Sequence, residues 1–379
     1  MKTRRLGLLG VAALVVSSLI VGIPATAQAA TAPVGSVVAT GLNNPRGLTF
    51  GPDHQLYVAE GGTGGSLSTV GQCVQVPMVG PYKGGYTARI SRLNVHTGGR
   101  QTVIDRLPSS QTIPMPAPLV SGVADVSFLG GKLYALIAGA GCSHGLAGTS
   151  NSLLRIGSDG SSSPVANLSA FLNSPLVANP PSEDFEPDGT WYSMIRAGHS
   201  FYAVEPNHQE LDRVTSNGNV SRVVDFSKTF PGKTDWRGPT AITRHGESFY
   251  IGTLTRFPIV PGNAQVFKVD PESGRFTVFA DGLTTVLGLA FDRHGSLYVL
   301  ETSVAAGFPA PEMGQIVKIS GHQHTTVASK LTTPTAMTFG PDGNLYVSNK
   351  GFGAPAGAGQ IVKVAVHTDG EERDESGDE

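Results

Sequence analysis

Acidic and amide side chains recur at one position of a repeated segment, and they are the residues best suited to chemistry. A Leu-Tyr-Val-like cluster recurs six times, and the residue three places after its tyrosine is, in order, Glu60, Ile137, Glu205, Thr253, Glu301 and Asn349. Three carboxylates and an amide supply the hard oxygen ligands that Ca²⁺ prefers. If these side chains surround one opening, they predict a Ca²⁺ site. We favour the alternative, in which each accepts hydrogen bonds from its own loop, because the predicted positions stand too far apart to converge.

A second group of polar residues flanks the third copy of the cluster. Asp184, Asp188 and Trp191 come before this cluster. Glu205, Asn207 and His208 come after it. Together they predict a polar pocket in which His208 acts as a base. The alternative, which we favour, is a solvated acidic loop followed by a turn, because no spacing here fixes a nucleophile, a base and an orienting group.

The repeated cluster itself indicates how these residues are positioned. Its six tyrosines are Tyr57, Tyr134, Tyr202, Tyr250, Tyr298 and Tyr346, and the last four are each 48 residues apart. A fixed period of this size is typical of propellers and solenoids. Each unit contains four short apolar or alternating segments joined by Pro, Asp and Gly turns, which are hairpin signals.

These repeats predict an all-β fold, a six-bladed β-propeller with four-stranded antiparallel blades. The sixth unit ends after its third strand, and Ser36 to Leu42 has the sequence of a missing fourth strand. We therefore expect the N-terminal strand to complete the last blade and close the ring, which removes open edges. The recurring tyrosine is expected to pack between blades.

The loops between second and third strands share a face with the segments that join the blades, and we call it the top face. It carries the candidate site residues. Arg46 and Arg237 begin innermost strands on this face, three to four blades apart. They predict contacts with an anionic ligand across the channel, and pairing with nearby aspartates is an equal alternative.

The two ends of the chain differ from the body. Residues 1–29 have the basic start, apolar centre and small-residue end of a signal peptide, so we expect an extracellular protein without a membrane span after cleavage. The acidic tail, 367–379, is too polar to pack and is expected to be disordered. The propeller is predicted for 34–366, as a monomer.

The charge of the body excludes one class of partner. Of 27 Lys and Arg, three lie in the signal segment and one in the tail, and of 29 Asp and Glu, seven lie in the tail. The remaining 23 basic and 22 acidic residues give no electrostatic reason to expect nucleic acid.

Cys73 and Cys142 are the two cysteines. In an exported protein they are expected to form a disulfide between inserted top-face loops of adjacent blades.

The chain resembles the secreted ScyD/ScyE family of propellers. The resemblance covers Val37 to Val366 and rests on Gly41-Leu-Asn-Asn-Pro-Arg-Gly-Leu48, the Gly-rich insertion from Gly61 to Ile90, and Glu205-Pro-Asn-His208. The chain departs from the family pattern at Asp184 to Gly189 and at Trp191-Tyr192. The resemblance implies fold and export, and no reaction. More distantly, the units resemble NHL-type repeats.

Two functions follow as hypotheses. The first is a non-catalytic propeller that binds a small molecule, a glycan or a protein on its top face. The second is a metal-assisted extracellular hydrolase or lactonase at the channel mouth, with Glu60, Asp188, Glu205 and His208 as ligands or bases. Since the propeller fold hosts both classes, the fold alone does not decide between them.

Overall fold

The repeats fold into a ring of six antiparallel sheets, as the sequence predicts. The computed structural model describes residues 35–113, 118–183, 185–232, 235–321 and 323–366. The predicted signal peptide, the acidic tail and Asp184 lie outside these residues.

Each blade contains four main strands, and the chain runs from the innermost to the outermost strand within a blade. The outermost strand of blade six comes first in the chain, as β1 (Ser36–Leu42). Blade one contains β2 (Pro45–Phe50), β3 (Leu56–Glu60), β4 (Lys83–Leu93) and β5 (Arg100–Gln111), with the short β6 (Val120–Ser121) beside β5. Blade two contains β7 (Val123–Leu129), β8 (Lys132–Ile137), β9 (Ser152–Ile156) and β10 (Ser162–Asn167).

The remaining blades follow the 48-residue repeat. Blade three contains β11 (Ser193–Ala197), β12 (Ser200–Glu205), β13 (Glu210–Thr215) and β14 (Val220–Asp225). Blade four contains β15 (Gly238–His245), β16 (Ser248–Leu254), β17 (Ala264–Val269) and β18 (Phe276–Leu283). Blade five contains β19 (Val286–Phe291), β20 (Leu297–Glu301), β21 (Gly314–Ser320) and β22 (Gln323–Leu331). Blade six contains β23 (Ala336–Phe339), β24 (Leu345–Asn349) and β25 (Gly359–Val364).

Strand β1 closes the ring by pairing antiparallel with β25, with Val37 opposite Val362. Blade six is also bonded to blade one at its inner edge. Thr335 Oγ1 donates to the Pro45 carbonyl at 2.6 Å, and Ser348 Oγ donates to the Arg46 carbonyl at 2.6 Å. The predicted closure by the N-terminal strand is therefore confirmed.

The recurring tyrosines connect each blade to the next. Each makes an aromatic contact with a phenylalanine of the following blade, with ring centroids between 4.7 and 5.3 Å apart. The six pairs are Tyr57 with Phe128, Tyr134 with Phe201, Tyr202 with Phe249, Tyr250 with Phe291, Tyr298 with Phe339, and Tyr346 with Phe50. Such pairs add about 0.5 to 1.5 kcal/mol each beyond area burial. The repeat is thus maintained by packing between blades.

Helical structure is minor. The helix α1 (Leu168–Leu172) is capped by Asn167, whose side chain accepts from the Ala170 amide. Two 3-10 turns span Cys142–His144 and Phe226–Lys228. Within the described ranges no helix is both long and apolar enough to span a membrane.

The predicted disulfide is present. Cys73 and Cys142 are bonded, with Cα atoms 6.2 Å apart, and the bond joins the insertion of blade one to the loop after β8 of blade two.

Candidate functional site

The recurring carboxylates and amide hold the segments between blades. Each accepts a hydrogen bond from a backbone amide just before the innermost strand of its own blade. The pairs are Glu60 with Asn43 N at 2.6 Å, Glu205 with Thr190 N at 2.8 Å, Glu301 with Thr284 N at 2.6 Å, and Asn349 with Thr332 N at 2.8 Å. These side chains therefore satisfy backbone donors that would otherwise be buried without a partner.

The other oxygens of these carboxylates are also occupied. Glu60 is buried and receives two hydrogen bonds from Arg89, at 2.7 and 2.8 Å, and one from Ser91. Glu301 receives a hydrogen bond from Gln315 Nε2 at 2.7 Å. Because each carboxylate is used within its own blade, the set does not form the converging oxygen cage that Ca²⁺ requires. Among the residues that the structure describes, no three His, Cys, Asp or Glu side chains are grouped so as to hold a metal ion.

A different set of positions converges at the channel mouth. In four blades the register between the first two strands shifts near the top face, between Pro45 and Leu48, Val123 and Asp125, Pro239 and Ala241, and Val286 and Gly288. When the pairings of the first and second strands are aligned for all six blades, one residue of each blade occupies an equivalent position near the top face. These residues are Arg46, Ala124, Tyr192, Thr240, Leu287 and Thr335. The ring contains a single charged side chain, that of Arg46.

Four members of this ring line a pocket at the top of the channel. The enclosed part of the pocket has a volume of about 20 Å³, room for a water-sized group, and the rest is open to solvent. Its lining residues are Arg46, Gly47, Ser121, Gly122, Ala124, Ala138, Thr190, Trp191, Tyr192 and Thr335. Small residues make the room, hydroxyls supply neutral hydrogen-bonding groups, and two adjacent aromatic residues form one wall. This combination is typical of a small-molecule site.

The Arg46 side chain reaches across this mouth. Its guanidinium lies 5.8 Å from the centre of the Tyr192 ring, which belongs to blade three, and it donates to the Val120 carbonyl. Between blades one and three the equivalent ring position is Ala124, whose small side chain leaves the guanidinium room. Within the described part of the chain, no carboxylate forms an ion pair with Arg46. Its charge is therefore available to a ligand.

The aromatic wall, residues 190–192, is held from behind by buried carboxylates. The Thr190 amide donates to Glu205, and the Thr190 hydroxyl donates to Glu186. Trp191 is almost fully buried and packs in the core between blades two and three. The position of the wall is thus fixed by Glu186 and Glu205, which do not themselves line the pocket.

One of these acids forms a buried pair with a histidine. His144 Nε2 lies 3.2 Å from Glu186 Oε2, while His144 Nδ1 lies 2.8 Å from Ser110 Oγ. Tyr82 donates to Glu186 Oε1 at 2.6 Å. Burial alone would lower the pKa of His144, but the hydrogen bond and charge of Glu186 outweigh it and raise that pKa above its usual value.

The second pair lies in blade three. His208 Nδ1 is 3.2 Å from Glu205 Oε2, which also accepts from the His208 amide at 2.6 Å. Both residues are fully buried. Burial opposes the charged imidazole, but the Glu205 carboxylate outweighs it, so that the pKa of His208 is raised. His208 lies beside the Phe185 ring, in the protein interior, which does not fit the predicted solvated turn.

Two more buried acids lie next to this pair. Glu210 and Asp212 alternate along β13 and face the same side. Arg222 Nε donates to Glu210, and burial together with the Glu205 charge raises the pKa of Glu210 to about 7. Burial raises the pKa of Asp212 well above its usual value. The Trp191 Nε1 lies beside Asp212, although neither has a hydrogen bond of good geometry in the described structure.

The remaining predicted residues have separate roles. Asp188 accepts from the Ser143 amide and hydroxyl at 2.8 and 2.7 Å, and Asn207 is buried. Arg237 precedes β15; its guanidinium donates to the Trp236 carbonyl and lies 5.9 Å from the Phe230 ring. It does not line the pocket that contains Arg46.

Glu186 belongs to the acidic loop from which the sequence predicts a polar pocket, but His144, Glu210 and Asp212 were not predicted. They lie far apart in the chain or inside an apparently regular strand. One signal for Asp212 was available. The residues at its position in the third strands of the other blades are Ser91, Leu154, Phe267, Val317 and Val362, so an acid there breaks the apolar pattern.

Comparison with known proteins supports the fold. No protein-family model matches the chain, and no curated protein matches it. Among solved structures, regucalcin from Agrobacterium tumefaciens, a calcium-binding protein, is 12% identical with a TM-score of 0.53 and covers 90% of this chain and 98% of its own. A Thermus thermophilus protein assigned as an oxidoreductase (glucose dehydrogenase) is 15% identical, with a TM-score of 0.52 and coverage of 87% and 99%.

A third similar structure is a Bacteroides thetaiotaomicron protein of unknown function, 11% identical, with a TM-score of 0.51 and coverage of 88% and 74%. At these identities the likeness extends to the fold alone.

Proposed function

We propose that this protein is a ligand-binding propeller whose channel-mouth pocket takes a small organic acid. The observation that carries the proposal is the position of Arg46, which is the charged member of the ring, reaches over Tyr192 and has no carboxylate partner among the described residues. A guanidinium presents several N–H donors in a planar fork that matches a carboxylate or another oxyanion.

The other lining residues support the same ligand class. Ser121 offers a hydroxyl group, and Tyr192 provides an aromatic face for the body of the molecule, while the hydroxyls of Thr190 and Thr335 are already donated to Glu186 and to the Pro45 carbonyl. The enclosed space of about 20 Å³ admits only a small polar group of a ligand, which favours a small molecule over a folded partner. We therefore place small molecules ahead of glycans and proteins.

The metal-assisted hydrolase has weaker support. Its four candidate residues divide into separate networks, in which Glu60 bonds to Arg89, Asp188 to Ser143, and Glu205 to Thr190 and His208. These arrangements do not fit a Ca²⁺ site, and none of the four candidates lines the pocket as a base would have to.

The setting of the protein is part of the proposal. The signal-like segment 1–29 and the Cys73–Cys142 disulfide support export, because disulfides persist in oxidising compartments. We propose an extracellular monomer of the ScyD/ScyE type that captures its ligand outside the cell.

A thermal unfolding screen tests the proposal. The protein is unfolded at constant ionic strength in chloride, acetate, benzoate, phosphate or glucuronate, because a ligand that binds only the folded state raises the unfolding temperature. At least one carboxylate is expected to stabilise the wild type and to have no effect on Arg46→Gln. Arg46→Lys should retain part of the effect, and Arg244→Gln, on an exposed hairpin, should retain all of it. The same response in Arg46→Gln and wild type, or no response to any anion, would refute the proposal.

A further inference from the structure

The pocket wall at residues 190–192 stands directly on two buried histidine–carboxylate pairs. Thr190 bonds to Glu205 through its amide and to Glu186 through its hydroxyl. Glu205 is paired with His208, and Glu186 is paired with His144. Both histidines are fully buried. Each carboxylate that accepts a hydrogen bond from Thr190 is therefore also in contact with an imidazole.

We propose that the two pairs, His144–Glu186 and His208–Glu205, are a proton-binding device that regulates the channel-mouth site, so that the anion binds most tightly when both imidazoles are charged. This inference rests on the proposed function, since it concerns the affinity of the same pocket. It adds a regulation that the pocket residues alone do not provide.

The charges around each imidazole give the sign of the effect. His144 faces Glu186, Asp188, the Gly189 carbonyl and the Tyr82 ring. His208 faces Glu205, Glu210 and, farther away, Glu186, and Arg222 lies beyond Glu210. Acids thus outnumber bases behind the wall, and the region becomes more negative when the imidazoles lose their protons.

Two effects of deprotonation act in the same direction. The buried carboxylates of Glu186 and Glu205 lose their charged partners, and the two uncompensated charges next to Thr190 destabilise this arrangement of the wall. The negative charge behind the wall also grows, which repels an anionic ligand in a region of low dielectric. Ligand affinity should therefore fall as the pH rises.

The neighbouring acids extend the same response. Glu210 and Asp212 hold their protons more tightly than exposed carboxyls, because they are buried. Ionisation of Glu210, whose pKa is about 7, adds further negative charge behind the wall. Asp125 accepts hydrogen bonds from Ser193 and Met194, directly after the wall, and burial raises its pKa to about 7, so its ionisation adds negative charge in the same range.

Trp191 provides a direct readout. The chain has two tryptophans, so Trp236→Phe leaves Trp191 as the sole indole. Its emission and the dissociation constant for benzoate are measured from about pH 5.5 to 8.5, where benzoate remains ionised. We expect affinity to fall about tenfold across this range, a size typical of coupling between sites. Trp191 emission without ligand should change with the same midpoint.

Histidine variants test whether the pairs cause the effect. His144→Gln and His208→Gln should each flatten the pH dependence, while His96→Gln, at an exposed position, should leave it unchanged. A fall in affinity that persists in both variants would overturn the inference.

Calorimetry of the wild type covers the case in which the variants do not fold. In two buffers of different ionisation enthalpy near neutral pH, binding should be accompanied by proton uptake. Arg46-dependent binding without proton uptake would overturn the regulation and leave the proposed function standing, whereas absence of binding at every pH would remove both.

Discussion

Tyr346 of the last blade packs edge-on against Phe50 of the first, with ring centroids 5.1 Å apart at 75°. It is the sixth in a closed series of tyrosine–phenylalanine contacts between successive blades, and it lies where the two ends of the chain meet. The ring is therefore closed by side-chain packing as well as by the pairing of β1 with β25.

Because of this contact, we expect Tyr346→Leu to lower the free energy of unfolding strongly and Tyr346→Phe to lower it only slightly. The leucine variant loses the aromatic contact and leaves a cavity at the closure, so urea unfolding should show a loss of about 2 to 4 kcal/mol. The phenylalanine variant loses only the 3.0 Å hydrogen bond to Asp342 and should lose about 1 kcal/mol. Equal losses would contradict a packing role.

Gly47 predicts a second sensitive position. A Cβ at this residue would lie 1.9 Å from Asp125 Oδ1 and 2.7 Å from Asp125 Cα, so blade one approaches blade two too closely for any side chain. Gly47→Ala should lower the free energy of unfolding by about 2 kcal/mol or more, because backbone has to move. Gly99→Ala is the matched control, since its nearest neighbour is a threonine hydroxyl at 3.2 Å. A tolerated alanine at position 47 would show that the blades can separate.

The fold was predictable because its signal is repeated six times, whereas the site was only partly predictable because it is formed where the repeat is broken. The 48-residue period and the Ser36–Leu42 match fix the blades and their closure. Arg46 and Trp191 were identified, but Arg46 contacts Tyr192 only after blades one and three are placed in the ring. The pairing of His144 with Glu186 depends on two inserted loops, whose paths no local pattern determines.

Removal of the disulfide should weaken the fold and leave ligand binding intact. Cys73 and Cys142 are 69 residues apart, so a Cys73→Ser, Cys142→Ser double variant should lose up to about 4 kcal/mol in the chain-entropy account. Urea unfolding measures this loss. The pocket lining contains no residue of the 61–82 insertion, and Tyr82 contacts the wall only indirectly, through Glu186, so anion binding should persist. Loss of binding in a folded double variant would show that the insertion forms part of the site.

Stability should be greatest near pH 4 and should fall as the pH rises to about 8. Burial raises the pKa of both Asp125 and Glu210 to about 7. The stability that these raised values contribute is complete below about pH 4 and is lost as the pH rises through about 7. The two histidines, whose pKa values are also raised, act in the same direction.

The acid side of this profile is set by Asp342. Burial opposes its charged form, but hydrogen bonds from Lys363, Asn344 and Tyr346 outweigh it and lower its pKa to about 2, so its contribution is lost as the pH falls through that value. Urea unfolding at several pH values measures the profile, and Asp125→Asn should reduce its slope between about pH 4 and 7. Stability that rises from pH 6 to 9 would contradict these assignments.

The most direct test of the central claim is calorimetric titration of benzoate into the wild type, Arg46→Gln and Arg244→Gln at about pH 6. Arg46 is the charged group that the pocket offers, so binding at a single site is expected in the wild type and in Arg244→Gln. Arg46→Gln should weaken binding by about tenfold or more, the scale of a lost charge-assisted hydrogen bond. Equal binding to all three proteins would show that the channel mouth is not the anion site.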